Sequence, residues 1–258
     1  MRDTLFKIMP WIFGTLLGWA MWNPPAWLES LGPLAWLVNL ALLALVLVGF
    51  VGMLILANLP SSLEMQPVDE SVVHAELRAL GNRFEQLGFR QAGPPRRVKI
   101  APSAIVLGFV HEKHPVYATA FRTETLPAKL SCDCVSILHG DKGGLTTNAD
   151  PEGAALPAGD GGLRQVFPGE GPEGLFQKHL DGIAYLRERG IHCRPLSADL
   201  FPQDLAFGIG RQREVFTSSP LSGTLVTLWR SATKQVPFVG SLRQQTIAET
   251  QIGRLLVS

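Results

Sequence analysis

Charged residues are distributed very unevenly along this chain, and this distribution limits its possible folds most. Residues 1–60 contain only four charged side chains, Arg2, Asp3, Lys7 and Glu29, of the 23 Lys and Arg and 22 Asp and Glu residues in the 258-residue sequence. The remainder make up about one-fifth of residues 61–258, which is the proportion found in ordinary globular domains. The sequence therefore predicts an apolar N-terminal segment followed by a globular domain, and not a disordered chain or a disulfide scaffold.

The apolar segment contains two runs that predict membrane-spanning helices. Residues 34–59 contain no charged side chain and exceed the about 20 residues that a transmembrane helix needs. Residues 5–22 form a shorter run interrupted by Pro10, Gly14 and Gly18. A signal peptide is the alternative for this run, but the small residues of a cleavage site are missing before residue 23. The sequence thus predicts a transmembrane helical hairpin over residues 1–60.

The flanking residues predict the orientation of this hairpin. Arg2 and Lys7 precede the first run and the link 23–33 carries no Lys or Arg, so the positive-inside rule places the N-terminus and the globular domain in the cytoplasm. Four tryptophans surround the link, as expected at a membrane interface, and they are Trp19, Trp22, Trp27 and Trp36. The spacing of Gly14 and Gly18 is typical of close helix contacts, although chance explains it equally well.

Residues 61–258 alternate between helical and strand patterns. A polar linker over 61–69 precedes an α+β domain over 70–216, with helices predicted at 70–87, 172–189 and, interrupted near Pro202, 198–216. The apolar stripe of the first helix is formed by Val73, Leu77, Leu80, Phe84 and Leu87. Strands are predicted at 97–101, 104–111, 116–123, 129–138, 145–148 and 163–167, with a short edge strand at 191–194. Consecutive strands flanked by helices predict a mainly antiparallel sheet.

Residues 217–258 form a basic amphipathic segment. Apolar positions recur on one helix face, and they are Leu221, Leu225, Leu228, Trp229 and Ala232. Two interpretations remain open for this face. It can pack on its own domain, or it can lie on anionic lipid, since Arg230, Lys234, Arg243 and Arg254 add positive charge to the segment.

Three cysteines are the strongest candidates for chemistry. Cys132 and Cys134 are two residues apart in a predicted strand, so their thiols share one side of the sheet. With Cys193 and a histidine, His139 or His192, they could hold a metal or carry out thiol chemistry. The C-x-x-C spacing of a zinc knuckle is absent, however, and buried free thiols are the commoner arrangement.

Other candidate groups lack the spacing that their chemistry requires. His111 and His114 are three apart where a helical zinc motif needs four, and His179 lies on an apolar stripe, as a core or boundary histidine does. A nucleophile elbow is missing around Ser136, Ser218 and Ser219, and a phosphate-binding loop is missing around Gly143, Gly144, Gly208 and Gly210. The sequence therefore predicts no catalytic residue, no cofactor and no metal.

These patterns predict a non-enzymatic protein. The net charge of +1 and the lack of basic patches with aromatic residues give no support for nucleic-acid binding. We expect an accessory or scaffold subunit of a larger membrane complex, contacting the lipid bilayer and contacting membrane proteins through the hairpin or the cytoplasmic domain. The alternatives are a thiol- or metal-dependent enzyme built around Cys132, Cys134 and Cys193, and a lipid-surface sensor using the C-terminal basic segment.

Overall fold

A computed structural model describes residues 34–58, 64–99, 103–150, 161–233 and 238–257. The chain divides into two units, Met1–Met53 and Leu54–Ser258. Helix α1 (Ala35–Asn58) begins in the first unit, and the second unit contains every strand described below.

The described residues contain no helix that is both long enough and apolar enough to cross a membrane. The predicted span 5–22 and the link 23–33 lie outside the described residues. The absence of a spanning helix among the described residues contradicts the predicted two-span hairpin, the multi-pass membrane assignment and the orientation derived from it. These three predictions are therefore wrong.

The domain is α+β and is built on one eight-stranded mixed sheet. The strands are β1 (Met65–Pro67), β2 (Phe89–Gln91), β3 (Arg96–Val98), β4 (Ala104–His111), β5 (Tyr117–Thr123), β6 (Leu130–Ile137), β7 (Gly144–Asn148) and β8 (Gly162–Val166). Their order is β1-β3-β4-β5-β6-β7-β8, and β2 pairs with the second half of β4. Every pair is antiparallel except β7 with β8, which is parallel. The predicted edge strand 191–194 is reduced to a single bridge between Leu138 and Cys193.

Two helices cover one face of the sheet, and both follow apolar stripes in the sequence. Helix α2 (Ala75–Gln86) buries Leu77 and Phe84, and helix α3 (Pro172–Glu188) buries Leu175 and Phe176. These side chains join Phe109 of β4 in the largest core cluster. Position 73, which the stripe assigned to the first helix, precedes α2 and follows a 3-10 turn over Glu70–Val72.

The first turns of helix α4 (Phe201–Ser218) pack against the opposite face of the sheet. Its first residue, Phe201, packs against Val110 and makes an edge contact with Tyr117 at 5.3 Å between ring centroids. Pro202 was expected to interrupt this helix, but it occupies the first turn, where no backbone N–H is required. A 3-10 turn over Ala198–Leu200 leads into α4.

The C-terminal region adds helices α5 (Pro220–Thr233) and α6 (Thr246–Val257). Helix α6 buries Ala248, Ile252 and Leu255 in a second core cluster with Leu145 and Leu163 of the sheet. Between α5 and α6, a 3-10 turn over Leu242–Gln244 carries a capping box. The C-terminal helix thus contributes directly to the core of the domain.

Candidate functional site

The two neighbouring thiols of β6 lie in the core. Cys132 and Cys134 are buried in the cluster beneath α2 and α3, on the face that their alternation predicts. Burial raises the pKa of Cys132 to about 12 and raises that of Cys134 well above its ordinary value. Since the thiolate is the form that attacks substrates and binds metals, both groups are inert near neutral pH.

The third thiol belongs to a different part of the domain. Cys193 packs at the edge of the cluster that contains Leu138, and burial raises its pKa to about 11. Within the described ranges, no group of three or more His, Cys, Asp or Glu side chains could hold a metal ion. His192 precedes Cys193 in the sequence, and its carbonyl oxygen accepts a hydrogen bond from the backbone N–H of His139 at 2.8 Å. The side chains of both histidines are exposed.

The remaining sequence candidates have structural roles. The Nδ1 atom of His111 accepts backbone N–H groups from Lys113 and His114 at 2.9 and 3.1 Å, which closes the β4–β5 turn. At Gly143 a side chain would lie 2.0 Å from the backbone oxygen of Gly161, so this glycine permits two backbones to approach. The positions of Gly208, Gly210, Ser218 and Ser219 fall in or directly after α4.

A buried polar network surrounds His179 of α3. The Nε2 atom of His179 lies 2.9 Å from Ser136 Oγ of β6, and Nδ1 lies 2.8 Å from Thr147 Oγ1 of β7. Gln165 of β8 extends the network, with its Nε2 at 3.1 Å from Thr147 Oγ1 and its Oε1 at 3.0 Å from the backbone nitrogen of Leu242. These four side chains are fully buried.

The partners fix the direction of every hydrogen bond in this network. Ser136 donates its one hydroxyl hydrogen to the carbonyl oxygen of Pro115 at 2.5 Å, so it must accept from His179 Nε2–H. Gln165 donates to Thr147 Oγ1, and Thr147 in turn donates to His179 Nδ1. Burial lowers the pKa of His179 to about 3, which agrees with this neutral tautomer.

This direction bears on catalysis. A histidine that activates a serine must accept the serine proton, whereas His179 donates its own proton to Ser136. The pair contains the same residue types as a catalytic dyad, but its hydrogen bond runs in the opposite direction, from histidine to serine. The network therefore holds α3 on strands β6, β7 and β8 and leaves Ser136 inactive as a nucleophile.

A second polar cluster lies on the other face of the sheet. Asp133 Oδ1 accepts a hydrogen bond from Thr119 Oγ1, and burial raises the Asp133 pKa to about 6 although Thr119 and Arg164 oppose this rise. Burial, together with the nearby charge of Arg230, lowers the pKa of Arg164 to about 10. The Arg230 guanidinium lies 5.1 Å from the ring centroid of Phe238, so this cluster anchors the end of α5.

Helix α5 exposes apolar side chains to solvent and buries polar or small ones, which is the reverse of the usual arrangement in a globular domain. Among its described residues, the buried ones are small or hydroxylated, and they are Gly223, Thr224 and Thr227. Its outward side carries exposed apolar side chains, namely Leu225, Val226, Leu228 and Trp229, and Trp229 is 64% exposed. We call these four residues the outer face of α5. Of the two interpretations of this segment, packing on its own domain fails for Leu225, Leu228 and Trp229.

Sequence reasoning missed several residues of these sites. Thr147, Gln165 and Arg164 lie in short strands at positions where the sequence offers no distinguishing signal. Asp133 lies between the two cysteines in the sequence, and alternation along β6 is the signal that could have placed it on the opposite face of the sheet. Comparison with known protein families, with curated proteins and with solved structures gives no match for this chain.

Proposed function

We propose that this chain is a non-enzymatic binding protein, an accessory or scaffold subunit that docks onto a partner through the outer face of α5. The observation that carries this proposal is the exposure of Leu225, Val226, Leu228 and Trp229 on a single helix whose buried side is polar or small. A helix that packs only on its own domain has the opposite arrangement.

The energetic cost of this arrangement supports a docked state. Burial of apolar surface stabilises a protein by about 25 cal/mol for each Å² removed from water, and apolar surface that stays exposed lacks this stabilisation. Contiguous exposed apolar surface on a folded domain marks a site of interaction. Tryptophan is also enriched among the residues that dominate binding energies, and Trp229 is the most exposed of the four.

The buried polar groups support a binding role over an enzymatic one. The thiols of Cys132 and Cys134 are held in their protonated form, and the His179–Ser136 pair has a polarity unsuited to nucleophilic attack. Both groups stabilise the sheet–helix core on the face away from α5. The domain thus serves as a rigid support for its exposed helix.

Cysteine protection tests this function whatever the partner is. In a Cys193→Ser background, Leu225→Cys places a thiol on the outer face, and Leu126→Cys places the control thiol at a side chain that is 95% exposed. We expect a soluble maleimide to label both thiols in the purified chain. In gently lysed native cells, the thiol at position 225 should label several-fold more slowly and the thiol at position 126 at an unchanged rate. Equal labelling of position 225 in both preparations would exclude docking through α5.

A further inference from the structure

We propose that a cleft on the face of the sheet beneath α4 and α5 binds a small zwitterion, a molecule that carries an oxyanion and an ammonium group. The polar side chains that line this cleft come from β6, β7, β8 and α5, and they are Asp133, Thr146, Asn148, Arg164 and Arg230. We call these residues the polar cleft. The proposal goes beyond docking through the outer face of α5, because it assigns a ligand to a different surface of the domain.

Strand register brings the floor of the polar cleft together. Asp133 of β6 pairs with Asn148 of β7, and Thr146, two residues before Asn148, pairs with Arg164 of β8. Paired residues, and residues two apart on one strand, carry their side chains on the same face of a sheet. This face points away from α2 and α3, because the residues that alternate with Asp133 pack in the core cluster beneath those helices.

Two helices border the floor of the cleft. On one side, Phe201 in the first turn of α4 packs against β4 and β5. On the other side, Phe238 packs against Val166 of β8, and the Arg230 guanidinium lies 5.1 Å from the Phe238 ring centroid. Strands β6 and β7 lie between these contacts, and some of their polar side chains on this face stay partly exposed, namely Asp133, Thr146 and Asn148. A depression between packed elements, with polar groups at its base, is the usual form of a small-molecule site.

The polar cleft offers hydrogen-bonding groups that the described residues do not use. Asp133 Oδ1 accepts from Thr119, whereas Oδ2 receives no hydrogen bond within the described ranges. The side chains of Thr146 and Asn148 also make no hydrogen bond to the described part of the chain. The Arg230 Nη1 atom is buried and has no hydrogen-bond partner among the residues that the structure describes. Buried donors are nearly always bonded in folded proteins, so this guanidinium group is suited to an incoming acceptor.

Two cations and one carboxylate define the ligand that suits this cleft. Burial, and after it the charge of Arg230, lowers the pKa of Arg164, so the two guanidinium groups are close enough to interact. An oxyanion beside them relieves this repulsion and accepts from both, because guanidinium groups bind carboxylate and phosphate with paired hydrogen bonds. The charge of Asp133 also interacts with Arg164, so one small ligand reaches both. The Asp133 Oδ2 atom then accepts an N–H of the ammonium group.

Calorimetry with the purified full chain at neutral pH tests this inference. The zwitterionic probes are phosphoethanolamine and β-alanine, and their matched anions, ethyl phosphate and propionate, lack only the ammonium group. We expect at least one zwitterion to bind, about tenfold or more tightly than its matched anion, because one charged hydrogen bond contributes about that factor. The zwitterion that binds more tightly identifies the oxyanion as phosphate or carboxylate. If neither zwitterion binds at millimolar concentration, or if each binds no better than its matched anion, the proposal is wrong.

An arginine substitution tests the oxyanion site. Arg230→Gln should weaken binding of the zwitterion and of its matched anion alike, by about tenfold or more. Arg187→Gln, at an exposed arginine of α3, is the matched control and should change neither affinity. Equal effects of these two variants would overturn the oxyanion site. If Arg230→Gln fails to fold, Thr146→Val replaces it, because the Thr146 hydroxyl lies beside Arg164 in the strand register. Binding of both compounds should then weaken several-fold, and unchanged affinities would overturn the oxyanion site.

Asp133→Asn gives a readout that a loss of folding cannot produce. The amide oxygen still accepts from Thr119, but the charge that pairs with the ammonium group is removed. Binding of the zwitterion should weaken by about tenfold or more, while binding of the matched anion stays the same or becomes tighter. An unchanged affinity for the zwitterion, or a parallel loss for both compounds, would overturn the pairing of Asp133 with the ligand.

Discussion

At the scale of single residues, the packing of α4 on the sheet depends on the absence of a side chain at position 108. A Cβ atom on Gly108 of β4 would lie 2.2 Å from a ring atom of Phe201. Phe201 is itself buried, at the first turn of α4, and contacts Tyr117. The Tyr117 hydroxyl lies 2.9 Å from Asp204 Oδ2 and 2.7 Å from the Ser197 carbonyl oxygen, and its single hydrogen is shared between these two acceptors, which restricts movement of the aromatic pair.

We therefore expect Gly108→Ala to destabilise the domain by about 1–3 kcal/mol, the usual cost of overpacking a core. Gly208→Ala is the matched control, because a Cβ atom at that exposed position of α4 meets no atom within 4 Å. It should stabilise the domain by about 0.5–1 kcal/mol through helix propensity. Urea unfolding of both variants measures the difference. Equal midpoints for Gly108→Ala and the native chain would contradict the contact with Phe201.

At the scale of elements, one hydrogen-bond network joins α3 to three strands and to the turn before α6. The apolar stripe of 172–189 predicted that His179 is buried, and the structure confirms this. Its partners Ser136, Thr147 and Gln165 could not be predicted, because they meet only through the pairing of β6 with β7 and of β7 with β8. Strand register depends on long-range packing, which periodicity within one segment does not contain.

The same limit explains why neither the orientation of α5 nor the short strands of the sheet could be predicted from the sequence. Periodicity showed which residues of α5 share a face, but it could not show which face meets the domain, since Gly223, Thr224 and Thr227 carry no apolar signal. The longer strands lay close to their predicted bounds, because continuous buried runs such as β4 are distinctive. The three-residue strands β1 and β2 were missed, since runs this short have no measurable periodicity.

A threonine pair in β7 tests the network. Thr147→Val removes the hydroxyl that accepts from Gln165 and donates to His179, and so leaves buried polar atoms without partners. We expect a loss of about 1–3 kcal/mol in the free energy of unfolding. Thr146→Val makes the same change on the opposite side of the strand, where the effect should stay within about 0.5 kcal/mol. If chemical denaturation gives equal losses for the two variants, the network does not stabilise the domain.

At the scale of the whole molecule, the sheet separates the buried His179 from the partly buried Asp133, two titratable groups whose effects on stability have opposite signs. The folded-state pKa of His179, at about 3, lies below its ordinary value of 6.5, so its contribution is complete above pH 6.5 and is lost as the pH falls towards 3. The folded-state pKa of Asp133, at about 6, lies above its ordinary value of 3.8, so its contribution is complete below pH 3.8 and is lost as the pH rises to 6.

Between pH 5 and 6 these two effects should nearly cancel, and removing either group should reveal the other. One group contributes at most about 1.4 kcal/mol per pH unit. We expect the stability of Asp133→Asn to rise with pH across this window at close to that slope, and His111, whose pKa is also lowered by burial, acts in the same direction. His179→Gln should show a stability that falls with rising pH.

Asp199→Asn, at an exposed carboxylate, is the control for the loss of a negative charge. Urea unfolding at pH 5.0, 5.5 and 6.0 supplies the slopes, which remain informative even when a variant is less stable overall. Parallel slopes for Asp133→Asn, His179→Gln and the native chain would show that neither group changes its pKa on folding, and would contradict the desolvation of these two groups on opposite faces of one sheet.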